Sequence, residues 1–311
     1  MSKYYGDHAI SYLANKHHQK DTQSSSFWDK HHAEFNFKDG KFSNLPMLGS
    51  DAKQYVGFKK IVHYILQRPF RKIAEQFSSF NAVNEVAKDI LSKQNKGYSM
   101  DVLRQVITVS YLNNIKPMKA GGTSCVIGDG FATMTSLLLK TYQQRVIMVN
   151  LSKTLLVDLY YLKLLLGDGF DTDVVLVTDE DDMTDALSKS NNKPSVIAIE
   201  AVNHQLIQLS PTDLTINIAS MQEMNPENIE QYFTDISIAA KKHSGLFYCC
   251  NREEKILPDG VVLKFEDYPW NLSTKTLNDE LCPWHQKYYS LKPPFYHRYD
   301  GDIRHKLVRF S

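Results

Sequence analysis

The sequence predicts an α/β fold, a mostly parallel doubly wound sheet with an antiparallel C-terminal edge, preceded by a helical region. Three observations predict it. Residues Ser124 to Asn150 read as strand, glycine turn, helix and strand. Short apolar runs then alternate with helical stripes as far as Cys250. Beyond Cys250 the chain offers strand-like segments and no clear helix.

The first of these stretches organises the rest. Cys125, Val126 and Ile127 form an apolar run that breaks at Gly128-Asp129-Gly130. Met134, Leu137, Leu138 and Tyr142 recur at helical spacing, and Val146 to Val149 make a second buried strand. Gly128 and Gly130 would let the backbone turn sharply and pass close to a ligand. The helix N-terminus after them would offer unpaired N–H groups. The dinucleotide fingerprint G-x-G-x-x-G fails at Thr133, and no G-K-[ST] ending makes a phosphate loop. The shorter G-x-G suits a ligand without a pyrophosphate, such as S-adenosylmethionine. That fingerprint usually runs acidic-x-G-x-G-x-G. Here Val126 takes the acidic position and Ala132 the third glycine, with Asp129 between the glycines. An ordinary strand–turn–helix is the competing reading.

A chain of 311 residues can bury a substantial core, and about two domains are expected. Hydrophobic content of 42% with 23% charged residues is ordinary for a globular chain. A net charge of +1 creates no overall field favouring nucleic acid. The N-terminus lacks a signal-peptide core, and no apolar run is long enough to span a bilayer. Cys125, Cys249, Cys250 and Cys282 show no framework spacing and read as reduced core thiols. Together these predict a cytoplasmic protein with neither nucleic-acid nor membrane partner; the oligomeric state stays open.

Residues 1 to about 50 are polar, with histidine pairs at His17-His18 and His31-His32. No metal-ligand spacing accompanies them, so a solvated or partly packed segment is expected, and no metal site. Phe27, Trp28, Phe35 and Phe37 are expected to pack this arm onto the body or cover a cleft. From about Asp51 to Asn114 the pattern is helical. Tyr55, Phe58, Ile61, Val62, Ile65 and Leu66 form one stripe, read as core, with Pro69 ending the helix. Val83, Val86, Ala87, Ile90 and Leu91 form another, and Ser99 caps a third helix carrying Val102, Val106, Val109 and Leu112. The expected division is a helical cap over 1–115 and a ligand-binding sheet domain over 116–311.

After Asn150, LSKTLLVDLYYLKLLLG is an amphipathic helix ended by Gly167. Strands are expected at Val174–Val177, Ser195–Glu200, Leu214–Ile218 and Leu246–Cys250, with a helix opened by Pro226. His285–Leu291 and Lys306–Phe310 would form a terminal antiparallel hairpin. Ligands of such sheets bind beyond the carboxyl ends of the strands. The residues of interest are therefore Gly128–Gly130, Asn150, Ala201–Asn203, Ala219–Glu223 and Asn251–Glu254.

Four runs carry a resemblance: INIASMQEM (Ile216–Met224), LFYCCNREEKILPDG (Leu246–Gly260), CPWHQKYYSL (Cys282–Leu291) and RHKLVRF (Arg304–Phe310). In these the chain, from about Ser124 onward, resembles the bacterial family of S-adenosylmethionine-dependent sugar O-methyltransferases. The resemblance implies a Rossmann-like class I methyltransferase fold, a seven-stranded sheet with one antiparallel C-terminal strand. It implies S-adenosylmethionine as cofactor, S-adenosylhomocysteine as product, and a sugar or glycoside acceptor. Gly128, Asp129, Gly130, Asn150, Leu151, Val202, Asn203, Ala219 and Ser220 would then border the cofactor. Asn150 replaces the acid common at the ribose position.

A sugar hydroxyl has a high pKa, so its methylation calls for a general base or a metal. Glu223 is the first candidate base, just past the strand Leu214–Ile218; it could instead cap the following helix. His285 is the second and could equally be a packed core residue. His204 is the third and could line the adenine pocket. Tyr248, Asn251, Arg252 and Trp284 are candidates to hold the sugar. Two other functions compete: a cofactor-binding protein without catalysis, and an NAD-dependent oxidoreductase, against which the missing third glycine and ribose acid speak.

Overall fold

The structure, a computed structural model, describes residues 4–38, 41–43, 55–189 and 193–310. The chain opens with β1 (Tyr4–Tyr5), α1 (Gly6–Lys16) and α2 (Ser26–His32), then a small hairpin of β2 (Asn36–Lys38) and β3 (Lys41–Ser43). Three helices follow: α3 (Phe58–Ala74), α4 (Phe80–Lys93) and α5 (Met100–Ile115). The Ser99 hydroxyl caps α5 by accepting from Val102 N at 3.2 Å, as the sequence predicts.

The alternating part begins at β4 (Thr123–Ile127), α6 (Thr133–Tyr142), β5 (Arg145–Asn150) and α7 (Ser152–Leu166). Gly167, at φ +55°, stops α7. Next come α8 (Phe170–Asp173), β6 (Val174–Val177), α9 (Glu180–Ser188) and β7 (Val196–Glu200). An acidic run, Asp179 to Asp182, starts α9, where Asp179 accepts from Asp182 N. After a 3-10 segment (Ala201–Leu209) come β8 (Leu214–Ile218), α10 (Pro226–Lys241) and β9 (Leu246–Arg252). The chain closes with a hairpin of β10 (Glu254–Ile256) and β11 (Val262–Lys264), then β12 (Lys275–Leu281), a hairpin of β13 (Lys287–Tyr289) and β14 (Tyr296–Arg298), and β15 (Ile303–Arg309).

Among the described residues the main sheet has nine strands in the order β1-β6-β7-β5-β4-β8-β9-β15-β12. From β6 through β9 all neighbours are parallel, and β15 runs against both β9 and β12. This is the expected fold class, a mostly parallel sheet between helices with an antiparallel strand near its C-terminal edge. β6 and β1 extend it past the expected seven strands: the chain leaves β5 for the β6 position and returns to lay β7 between them. Both sheet faces are covered, so the central strands read as apolar runs. Every residue of β5, β6 and β7 is buried. Helices α4, α5 and α6 share one core with Val126, Ile216, Tyr248 and Leu307, while α9 and α10 cover the opposite face. The arm also enters this body, because β1 pairs antiparallel with β6 at Tyr4↔Leu176.

Three expectations are corrected. Pro69 lies inside α3 and does not end it. Its ring deprives only the Ile65 carbonyl of a partner, and Ile65 is 52% exposed, so water can replace that bond. Of the expected stripe on α3 only Leu66 is buried: Phe58 is 77% and Ile61 56% exposed, and the buried face is Leu66, Phe70 and Ala74. Asp51, where that helical stretch was expected to start, lies outside the described residues. The last strand pairs with β9 and with β12 (Lys275↔Arg309 to Leu281↔Arg304), not with His285–Leu291, which forms a turn and β13. β12 is mostly polar (KTLNDEL) because it is the sheet edge, which hides it from a search for apolar runs.

Candidate functional site

The carboxyl ends of β4, β5 and β8 meet at a narrow cleft of 50 Å³, bordered by Gly128, Gly130, Asn150, Leu151, Ala201, Ser220 and Glu223. Gly128 and Gly130 both hold positive φ, +73° and +95°. A Cβ on Gly128 would lie 2.2 Å from Ser220 Oγ. The close approach permitted by Gly128 is therefore made by the chain's own Ser220, while Gly130 faces the cleft.

The helix N-terminus behind the turn is already satisfied. Asp129 accepts from Met134 N (2.9 Å) and Thr135 N (2.7 Å), and Asp158 accepts from Ala132 N (2.8 Å). Asp129 is thus a cap rather than a cofactor contact. Burial pushes both carboxyls up, and Asp129 adds to the rise at Asp158. Lys96, with Nζ 3.8 Å from the Phe131 ring centroid, opposes the rise at both. Asn150 donates to Asp158 Oδ2 at 2.9 Å and accepts from Leu151 N, so its amide is largely committed. The acid at this edge is one strand over: Glu200, opposite Asn150 in register, is held by Lys16 Nζ and Ser152 Oγ.

A buried amide network fixes the floor of the cleft. Asn217 donates to the Ile127 carbonyl (3.0 Å) and Ser220 Oγ (2.6 Å), and accepts from Asn251 Nδ2 (2.9 Å). Asn251 in turn accepts from Gln222 N (3.1 Å), and Gln222 Oε1 accepts from Arg252 N (2.7 Å). This lattice ties β4, β8 and β9 to the turn Met221–Glu223 and so presents Glu223. Burial raises the Glu223 carboxyl to about 7, against the opposing pull of Lys255 and Arg252.

The arm closes the cleft. Gln23 and Trp28 line it, Ser25 Oγ donates to the Glu223 carbonyl, and Asn228 donates to the Gln23 carbonyl at 3.0 Å. Asp21 accepts from Ser152 N at 2.9 Å, and His32 bonds Thr154 at 3.2 Å. Burial and neighbouring cations lower the His32 ring to about 4, so it is neutral there. The aromatic content of the arm was the only sequence signal for these contacts; Gln23, Asp21, Lys16 and Glu200 carried none.

Several expected site residues lie elsewhere. Tyr248 is fully buried with its hydroxyl 3.1 Å from His305 Nδ1, and Trp284 is buried with Nε1 donating to Thr108 at 3.0 Å. Both are core residues and unavailable to a sugar. His285 is buried away from the lining, beside Cys250 and Cys282, and burial and Arg104 push its pKa well below the usual value. His204 has both ring nitrogens engaged by α10, through Asp235 and Gln231, and does not line the cleft. Val202 and Asn203 do not line the cleft although Ala201 does, and Ala219, at φ +60°, spends its N–H on the Cys250 carbonyl. Asn251 is fully buried in the amide network. Arg252 alone of the sugar candidates keeps partial exposure, one guanidinium nitrogen donating to the Asp300 carbonyl. All four cysteines are buried and free.

A second cavity of 630 Å³ lies between α3 and α4, lined by Tyr55, His63, Tyr64, Arg71, Lys96 and Tyr98 among others. The Arg71 guanidinium sits 5.3 and 5.1 Å from the Tyr64 and Tyr98 ring centroids.

No family model matches the chain, and no curated relative does. Solved structures are loosely similar. The pyocyanin biosynthetic protein PhzM matches at TM-score 0.35 and 10% identity over 66% of this chain and 58% of its own. The Haemonchus contortus phosphoethanolamine N-methyltransferase 2, solved with S-adenosyl-L-methionine, matches at TM-score 0.39 and 10% identity over 65% and 52%. The mitomycin 7-O-methyltransferase MmcR matches at TM-score 0.38 and 10% identity over 67% and 57%. The match thus spans less than two thirds of the length of each of these three proteins. Identity and score this low leave the fold assignment to the strand order and directions described above.

Proposed function

We propose that this chain is an S-adenosylmethionine-dependent O-methyltransferase that methylates a hydroxyl of a sugar or glycoside and releases S-adenosylhomocysteine. The observation that carries the reading is Glu223, a carboxyl raised to about 7 on the wall of the cleft that also holds the glycine turn. The four sequence runs that resemble sugar O-methyltransferases support the acceptor class. Two of them supply the side chains of Asn217, Gln222 and Asn251 and the Arg252 N–H, which brace the turn that carries Glu223.

The cleft walls fit the cofactor in chemistry. Ile127, Val149, Leu151 and Ala201 give an apolar slot suited to a purine, and Ser220 and Gly130 border it. Its 50 Å³ is the volume with the arm in place, so occupancy requires Trp28 and Gln23 to move aside. When bound, the cofactor supplies an electrophilic methyl group on a sulfonium. Glu223 accepts the hydroxyl proton. A carboxyl with pKa about 7 is half ionised near neutrality, which suits a general base. Lys255 and Arg252 keep the carboxylate accessible against desolvation. The arm, returning over the cleft, excludes water from the reacting groups.

A second reading, a cofactor-binding protein without catalysis, is favoured by the helix N-terminus being capped by Asp129 and the Asn150 amide being committed. Glu223→Gln separates the two. On the enzyme reading it leaves cofactor affinity intact and lowers turnover by about 10²–10⁴-fold. It also removes the acidic limb of the rate profile, which in the wild type rises through about pH 7 as the carboxyl ionises. Wild-type protein that binds the cofactor but transfers no methyl group to any member of a sugar and glycoside panel would favour the second reading.

A further inference from the structure

We propose that Cys250, Cys282 and His285 form a buried site for a thiophilic divalent cation such as Zn²⁺. The two sulfurs and one ring nitrogen lie within 4.8 Å of one another. Tetrahedral zinc at about 2.3 Å from sulfur and about 2.0–2.1 Å from nitrogen needs donors roughly 3.5–3.8 Å apart, an adjustment of about 1 Å. Cys282-Pro283-Trp284-His285 is a C-x-x-H run, so one turn presents two donors, closed by His285 N to the Cys282 carbonyl at 3.1 Å. Cys250 supplies the third from β9, across β15.

The turn is held from outside. Cys282 N donates to the Ile303 carbonyl at 2.8 Å, and Gln286 donates to the carbonyls of both Cys282 and Ile303. Arg104 Nε donates to the Trp284 carbonyl at 3.3 Å. These bonds fix the main chain on either side of the donors, as outer contacts do in metal sites.

An independent observation points to a missing partner. His285 is 7% exposed, and its Nε2 is buried with no hydrogen-bond partner among the described residues. A buried polar atom left unpaired costs about 1–3 kcal/mol, so such atoms are rare without a ligand or water. Burial favours the neutral imidazole, the form that ligates a metal. Burial also favours the protonated Cys282 thiol in the metal-free protein. Zinc is held by thiolates, so any thiol proton leaves to solvent on binding, and the two thiolates cancel the charge of the cation. The buried centre is then neutral overall, which limits its desolvation cost. The metal would staple the end of β9 to the turn after β12.

The test uses the full chain expressed in zinc-supplemented medium and purified under reducing conditions without chelator. About one zinc per chain is expected by elemental analysis, and X-ray absorption should give a shell with two sulfurs and at least one nitrogen. Co²⁺ in place of Zn²⁺ should show thiolate charge transfer and the intense visible bands of a tetrahedral ion. Cys282→Ser and His285→Gln should lose the metal, while Cys125→Ser, a buried thiol outside the cluster, should keep it. Zinc below about a tenth of an equivalent, an oxygen-only shell, or metal retained in Cys282→Ser would overturn the proposal. If the variants fail to fold, the wild-type absorption spectrum decides alone.

Discussion

Glu223 and Gly128 show how much one position can carry. Glu223 was legible in sequence because it follows a strand at the sheet's carboxyl edge, where ligands of such folds bind. Its raised pKa was not, because that depends on the burial of the Met221–Glu223 turn by β9 and the arm. Gly128 was read as making room for a ligand, yet the atom that needs the room is Ser220 Oγ. Gly128→Ala should therefore destabilise the fold by about 1–3 kcal/mol, from strain at φ +73° and the clash with Ser220. Urea denaturation measures this. Ser220→Gly in the same chain should recover part of the loss, and no recovery would place the strain in the backbone alone. Tyr248 and Trp284 were misread for the opposite reason: aromatic residues beside a strand end look like sugar platforms, but both point into the core shared with α5.

At the scale of elements, periodicity located the central strands and the longer helices from α3 onward, but not α1 or α2 in the polar arm, and not the direction each element faces. The α3 stripe is the clearest case, since Phe58, Ile61 and Ile65 repeat correctly for a helix while Leu66, Phe70 and Ala74 are buried. The outward-facing turns of α3 instead border the cavity with Arg71 between two tyrosines. Should this cavity serve the acceptor, Tyr64→Ala should raise the acceptor KM several-fold and leave cofactor affinity unchanged. Equal acceptor KM in both proteins would assign the cavity another role. The arm was expected to pack or to cover a cleft, and it does both: Phe35 joins a core with α7, while Trp28, Gln23 and Ser25 close over the cleft. Trp28→Ala should then speed both cofactor association and release, measured by stopped-flow fluorescence or surface binding. Rates identical to wild type would mean that the arm does not gate the cleft.

At the scale of the molecule, the first and last strands described, β1 and β15, both belong to the central sheet. Alternation of strands and helices made the parallel sheet legible, since fully buried strands are apolar runs. The edges were not, because β1 is two residues long and β12 is mostly polar. The cleft at the ends of β4, β5 and β8 could be anticipated from topology, whereas its closure by Lys16, Asp21 and Ser25 could not, since these contacts join residues far apart in sequence. The central claim is that this cleft binds S-adenosylmethionine. It is tested most directly by thermal unfolding of the full chain with S-adenosylmethionine, S-adenosylhomocysteine and NAD, in the wild type and in Gly130→Val. Ligand at about a hundred times its dissociation constant stabilises by about 2.7 kcal/mol, which gives a readable rise in Tm. The account predicts that rise with both S-adenosyl compounds, none with NAD, and its loss in Gly130→Val protein that still unfolds cooperatively. A rise with NAD alone, or an unshifted Tm with either S-adenosyl compound at millimolar concentration, would contradict it.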